Sequence, residues 1–382
     1  MIGTGRGSHA GLEASNEMTK IVQIETYLAP QQAIVRVRTD DGAEGIGQTA
    51  PYGADITVDV LHKMVAPFFL GRNPWDLERI GEECLRRTHK FPGSFVHRAL
   101  CGIDTALWDR NARCAGQPVY RLLGGADRTE IPMYASSMRR ETTPEEEAER
   151  VAQAVEERGF RCAKIKVGDM MGRDVDAIPG RTERLIPLMR ERLGPDIDIH
   201  ADGNGGYTPA KAIQVGRLLE EYNYFHFEEP CPFTEIENTA EVAAALDIPV
   251  AGGEQDYSLN QFHRMIAMRA VDIVQPDIGY IGGITPARKV AFMAEAAGIP
   301  CTPHCANQSL LQVFTLHFAA AMPACTQYQE WSIEPNQGWA KEIYEPALEV
   351  KGGSVSVNDA PGWGISILPS YYDKAEKRVS SL

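Results

Sequence analysis

Six polar residues recur through the second half of this 382-residue chain at nearly constant spacing. Asp202, Glu228, Glu254, Asp277, His304 and Glu330 follow one another at intervals of 26, 26, 23, 27 and 26 residues. Each lies at or near the end of a short apolar run: "IDIHADGN" (197–204), "YFHFEEP" (224–230), "PVAGGEQ" (249–255), "VDIVQPD" (271–277), "PCTPHC" (300–305) and "QYQEWS" (327–332). Two earlier runs, "IPMYAS" (131–136) and "CAKIKV" (162–167), have the same texture. Surface charges have no reason to keep phase with strands. One β/α unit of a parallel barrel takes about this length, because eight such units run to about 250 residues. The spacing therefore predicts eight strands with seven amphipathic helices between them, and polar residues at the strand C-termini, where such barrels keep their active sites. A doubly wound open sheet is the competing architecture.

Local signals support the helices between these runs. Thr143-Pro144-Glu145-Glu146 is a capping box with proline at the first helical position, and Thr208-Pro209 repeats the proline device. No eighth amphipathic helix follows Glu330, and the tail "GGSVSVNDAPGWGISI" reads as extended and returning to the N-terminal region. At the other end, "KIVQIETYLA" and "AIVRVRTDDGAEGIGQTA" read as a hairpin with Asp41-Gly42 as a turn. Residues 56–125 read mostly as helices, including "FVHRALCGIDTALWDRNARCAG". The expected organisation is a disordered extension over 1–17, an α+β capping domain over 18–130 completed by about 350–382, and a barrel over 131–349.

Charge and cysteine usage narrow the partners. A formal net charge of −14 argues against nucleic-acid or anionic-membrane surfaces, and no stretch is long enough to span a bilayer. The first seventeen residues lack the apolar core of a signal peptide. Eight cysteines without a CxxC pair fit a reduced, cytoplasmic interior.

Chemistry concentrates at the strand ends. Asp202, Glu228 and Glu254 converge from successive strands, and three like charges in a water-poor mouth repel unless a cation compensates them. All-oxygen ligands suit a hard ion such as Mg²⁺. Lys164 and Lys166 share one face of the second strand, beside the strand carrying Asp202. Crowding and burial lower a lysine pKa and fit it to act as a base. Asp277 and His304 end neighbouring strands, so the acid can fix the imidazole tautomer. Glu330 can act as an acid toward a substrate oxygen, and Asn204, pointing to the same side as Asp202, can bind a substrate oxygen. Glu229 is expected to point away from Glu228 and to be structural. His200 and His226 have no such placement, and "GYIGG" (279–283) is a weak phosphate signal.

As a set, Lys164-Ile165-Lys166, the acids of "HADGN", "FEEP" and "GGEQ", Asp277 in "QPD" and His304 in "PHC" resemble the mandelate racemase subgroup of the enolase superfamily. The resemblance runs from about residue 20 to the C-terminus. It implies a (β/α)₇β modified TIM barrel under an α+β capping domain, with Mg²⁺ held by Asp202, Glu228 and Glu254. It implies that Lys166 is the base on one face of a small carboxylate substrate and the His304–Asp277 dyad acts on the other, with Lys164 at the carboxylate and Glu330 as the acid on the eighth strand. Abstraction of an α-proton with expulsion of a β-hydroxyl, giving a 2-keto-3-deoxy acid from an acid sugar, is the expected reaction. Racemisation or epimerisation is the alternative, and a Schiff-base aldolase or a non-catalytic ligand-binding barrel are the readings of other classes. A homo-oligomer is expected by the same resemblance. The short turn at Pro30–Gln32 argues against an aromatic substrate and shifts attention to Pro51-Tyr52-Gly53, with Tyr52 as a substrate contact, and to Arg87, His89 and Lys90.

Overall fold

The computed structural model describes residues 19–335 and 343–382; the expected extension over 1–17 lies outside the described residues. Three antiparallel strands open the chain: β1 (Ile21–Leu28), β2 (Ala33–Thr39) and β3 (Glu44–Gln48). Gly42, at a φ of 80°, allows the tight turn between β2 and β3. The sheet buries Ile24, Val35 and Val37 against the helix Phe95–Cys114, most of whose residues are themselves buried. Contact is so close that a Cβ on Gly45 would lie 2.1 Å from the Ala106 carbonyl oxygen, and one on Gly47 would lie 2.3 Å from that of Gly102. Those strand glycines exist to let backbone meet backbone.

Parallel strands then alternate with helices. β4 (Glu130–Ser136), β5 (Cys162–Lys166), β6 (Asp198–Asp202), β7 (His226–Glu228), β8 (Val250–Gly252) and β9 (Ile273–Val274) pair in sequence order, and β10 (Gln329–Ser332) pairs with β4 from the other side. Seven long helices connect them, from Pro144–Arg158 to Leu310–Ala321. Helix Pro144–Arg158 begins on the complete capping box of Thr143 and Glu146 and ends at Gly159, at a φ of 73°. The architecture is the (β/α)₇β barrel under an α+β cap that the spacing and the resemblance call for.

The expected seventh strand is reduced. Residues 300–305 form only isolated bridges, Cys301 to Val274 and His304 to Asp277. Pro300 and Pro303 lack the N–H groups a regular ladder needs, which accounts for the interruption. His304 nevertheless keeps its place beside Asp277.

The tail divides between the two parts of the molecule. After β11 (Tyr344–Glu345), β12 (Ser354–Ser356) pairs antiparallel with the start of β4. Beyond β13 (Ser366–Ile367), β14 (Glu376–Ser381) pairs antiparallel with β1, giving the sheet order β14-β1-β2-β3. Cap and barrel are also tied by polar contacts. The Gln48 side chain donates to Ser309 Oγ (2.9 Å) and accepts from Leu310 N–H (3.1 Å), while Trp108 Nε1–H donates to Thr285 Oγ1 (3.0 Å). Among the described residues no helix is long and apolar enough to cross a membrane. The cysteines are free, and all but Cys114 are buried.

Candidate active site

Registry within the barrel explains why the lysines and acids meet. Lys166, Asp202 and Glu228 are aligned partners across β5, β6 and β7. On β5 and just past its end the alternate residues Ala163, Ile165 and Val167 are fully buried, so the strand is dry on both faces. Lys164 is completely buried as well and Lys166 nearly so. Ammonium groups in such a place need carboxylates.

Those carboxylates are present. Lys164 Nζ lies 2.8 Å from Glu228 Oε1, 2.9 Å from Glu330 Oε1 and 3.5 Å from Asp202 Oδ2. Lys166 Nζ is ion-paired with Asp202 and donates to Asn204 Oδ1 at 2.9 Å. Burial works against the Lys164 ammonium, but Glu228 and Glu330 outweigh it and hold its pKa well above the ordinary lysine value. The lowering expected of crowded lysines is therefore reversed at Lys164, because carboxylates rather than the second amine are its nearest charges.

Asp202, Glu228 and Glu254 each offer an oxygen within 4.8 Å of the others, and all three side chains are buried. Glu228 Oε2 accepts from Gln275 Nε2 (3.0 Å), and Asp202 Oδ1 accepts from the Asn204 N–H (2.8 Å). Glu254 Oε2 is buried and accepts no hydrogen bond. Burial pushes the Glu254 carboxyl up to about 6; His304 opposes this, and Asp202 and Glu228 add to it. A buried oxygen that makes no hydrogen bond, with the His304 imidazole 3.4 Å away and two further carboxylates beside it, belongs to a donor set that a hard divalent cation completes.

The histidine stands at the Glu254 end of this cluster, whereas Lys166 stands at the Asp202 end. His304 Nδ1 is 2.7 Å from Asp277 Oδ2, and Nε2 is 3.4 Å from Glu254 and 3.7 Å from Glu330. Asp277 is itself held by the backbone: its Oδ1 accepts from Gly279 N–H (2.7 Å) and Tyr280 N–H (3.1 Å). With one oxygen fixed this way, the other pins the imidazole and leaves Nε2 facing the acids. Burial would depress the imidazole, but Glu254, Glu330 and Asp277 together raise its pKa to about 10. Glu330 is the opposite case. Burial would raise it, yet Lys164 and His304 bring it down to about 2. It also accepts from Ser136 Oγ (2.7 Å) and Cys305 N–H (3.1 Å).

Sequence reasoning missed several neighbours. Glu229 does not turn away. β7 ends at Glu228, and Glu229 adopts a φ of 40°, so strand alternation no longer governs it. Its Oε2 accepts from Asn204 Nδ2 at 3.4 Å, and burial followed by the charges of Glu254 and Asp202 drives its carboxyl well above the usual range. Arg140 donates through Nη2 to Asn204 Oδ1 (2.8 Å) and through Nε to the Gly168 carbonyl (3.2 Å). Gln275, Ser136 and the Cys305 amide carried no signal in the sequence beyond proximity to strand ends. Tyr52 lies 74% exposed at a φ of 63°. Arg87 pairs with Glu83 and His89 contacts the Arg86 carbonyl; among the described residues neither makes a hydrogen bond or ion pair with the acid cluster. His200 and His226 stack beneath the site with ring centroids 3.7 Å apart.

Comparison with known proteins agrees with this geometry. Residues 146–371 match the family described as enolase C-terminal domain-like, and residues 12–124 match the mandelate racemase / muconate lactonizing enzyme N-terminal domain. The arabinonate dehydratase of Saccharolobus solfataricus is 30% identical over 346 residues, covering 88% of each chain. The L-talarate/galactarate dehydratase of Salmonella typhimurium is 32% identical over 343 residues, covering 87% of this chain and 80% of the relative. A solved structure from Roseobacter denitrificans, described as a candidate racemase, is 46% identical with a TM-score of 0.93, covering 95% of this chain and all of that one. A mandelate racemase/muconate lactonizing protein from Paracoccus denitrificans, solved with magnesium, is 32% identical with a TM-score of 0.87, covering 94% and 98%. The chain thus belongs to the enolase superfamily, as a member of its mandelate racemase / muconate lactonizing enzyme family.

Proposed function

We propose that this protein dehydrates a polyhydroxy carboxylate, an acid sugar, to a 2-keto-3-deoxy acid. The observation that carries the reading is the placement of two proton carriers at opposite ends of one carboxylate triad, Lys166 against Asp202 and His304 against Glu254. Dehydratases of arabinonate and of talarate or galactarate among the relatives support the substrate class.

Asp202, Glu228 and Glu254 would hold Mg²⁺, which when bound supplies Lewis-acid stabilisation to a substrate carboxylate. Lys164, kept charged by its acids, would donate to the same carboxylate as negative charge builds on it. Lys166 Nζ takes the α-proton, and the electron pair of that C–H bond is first delocalised into the substrate carboxylate beside Lys164; its return then forms the C=C bond as the β C–O bond breaks. His304 Nε2, held protonated by its acidic neighbours, gives its proton to the departing hydroxyl, which leaves as water. The resulting enol tautomerises to the keto acid. Asp277 keeps the imidazole in register throughout. Asn204, tied to Lys166 and Arg140, would contact a substrate hydroxyl.

Epimerisation is the second reading, favoured by the same pair of proton carriers, since returning the proton from His304 to the opposite face would invert the α-carbon. A Schiff-base aldolase has no use for a carboxylate triad, so the clustering of Asp202, Glu228 and Glu254 disfavours that reading. The test is a library of aldonates, aldarates and 2-hydroxy acids with Mg²⁺ in D₂O, with keto acid and α-deuterium read together. Keto-acid formation from an acid sugar supports dehydration. Deuterium exchange with inversion and no keto acid refutes it in favour of epimerisation.

A further inference from the structure

Arg98 sits in the first turn of the helix Phe95–Cys114, where the helix dipole disfavours a cation, and no acidic residue shares that turn. Among the described residues no carboxylate lies within ion-pair distance of it. A surface arginine without a partner is ordinary, but this one is fixed. Its Nη1 donates to the Pro51 carbonyl (3.0 Å), its Nε donates to Ser94 Oγ (3.2 Å), and its guanidinium lies 3.9 Å over the ring of Tyr280. The Tyr280 ring is in turn 6.4 Å from that of His304, and the Tyr280 N–H holds Asp277. Arg98 is therefore a preorganised cation built from the cap, one aromatic ring away from the proton-carrying histidine, with Nη2 uncommitted. The other arginine beside the site, Arg140, spends both Nε and Nη2 on neighbours at the Lys166 end. A guanidinium held in a locally unfavourable position without a compensating acid breaks a rule that structure alone would keep, which is the signature of a ligand contact.

We propose that Arg98 is a specificity-determining residue that binds the distal carboxylate of a sugar diacid, so that the substrate is an aldarate rather than an aldonate. The proposal rests on the reading of the acid triad as the seat of the reacting carboxylate. With that end anchored by Lys164, the chain of the substrate runs past His304 toward the cap, where Arg98 and the Pro51–Gly53 bend close the far end. A second carboxylate there meets the uncommitted Nη2 of a guanidinium that Pro51, Ser94 and Tyr280 already hold in place.

The test compares a hexarate with the hexonate of the same configuration in the wild type, Arg98→Met and Arg98→Lys. The methionine keeps an apolar stem over Tyr280 and removes the charge. A charge-assisted hydrogen bond of ordinary strength predicts a loss of about 10- to 100-fold in kcat/KM for the diacid, with the monoacid changing by less than about threefold. Lysine should recover part of the loss. Equal losses on both substrates, or a wild-type preference for the hexonate, overturn the assignment. Binding is measured separately, by Mg²⁺-dependent thermal shift with each acid, so that it does not depend on turnover. Tighter diacid binding that vanishes in Arg98→Met, with no keto acid formed by the wild type, upholds Arg98 and refutes dehydration. Binding of neither acid refutes both. If the methionine variant fails to fold, Arg98→Lys carries the comparison, and an unchanged diacid-to-monoacid ratio in it overturns the proposal.

Discussion

Replacing Lys164 by methionine removes one ammonium and leaves three buried carboxylates facing one another. In the wild type that ammonium lies 2.8 Å from Glu228, 2.9 Å from Glu330 and 3.5 Å from Asp202. Against the effect of burial, Lys164 and His304 bring Glu330 from the ordinary 4.5 down to about 2, a shift equivalent to about 3 kcal/mol. His304 shares in that shift, but breaking a buried ion pair from one side costs about 3–5 kcal/mol, so a loss of about 3 kcal/mol is expected of the variant. A depressed carboxyl contributes stability that is present above its unfolded value of 4.5 and is lost as pH falls through about 2. In Lys164→Met the carboxyls lose their counter-charge and their pKa values rise, so the deficit is full at pH 8 and shrinks toward pH 5. Mg²⁺ should restore more stability to the variant than to the wild type, because the triad it would join has become more negative. Denaturant unfolding at pH 8 and pH 5, each with EDTA or with Mg²⁺, reads all of this. The reasoning is refuted if the variant matches the wild type at pH 8 within about 0.5 kcal/mol, the size of an ordinary surface change, or if its deficit grows on acidification.

Lys166→Ala and His304→Asn should separate the two proton transfers. The first should abolish α-deuterium incorporation and product alike, each by about 10²–10⁴-fold; the second should suppress product by a similar factor while sparing exchange, and equal loss of both in His304→Asn would contradict its role as acid. Asp104, buried at the cap–barrel joint, accepts from the Thr285 N–H (3.2 Å), and burial pushes its carboxyl up to about 7. Its raised value means stability is highest below 3.8 and declines as pH climbs to about 7, by about 4 kcal/mol at most; Asp104→Asn should flatten that slope in urea melts between pH 4 and pH 8. Gly45→Ala would drive a methyl to 2.1 Å from the Ala106 carbonyl and 2.5 Å from the Arg110 nitrogen, so a loss of about 2–3 kcal/mol is expected by calorimetry.

The barrel and the triad were legible because they depend on periodicities. A polar residue at each strand end, repeated in phase, survives translation into three dimensions even where the ladder fails, as at His304 between two prolines. What escaped was set by geometry that no local pattern encodes. Glu229 joined the acids because one left-handed residue ended the strand's alternation. Gln275, Ser136 and the Cys305 amide satisfy Glu228 and Glu330 from separate loops and strands, and Arg98 stacks over Tyr280 from a helix almost two hundred residues earlier in the sequence. The raised charge state of Lys164 followed from which neighbours were nearest, and spacing says nothing of distances below one residue's reach.

β14 lies along β1, so the edge of the opening sheet is covered by residues 376–381. During synthesis, β1 leaves the ribosome hundreds of residues before its outer neighbour exists. The barrel strands in between are synthesised first, so the opening sheet gains its fourth strand only at the end. Nascent chains stalled short of residue 376 would therefore carry a naked strand edge, a natural docking point for chaperones or for another unfinished copy.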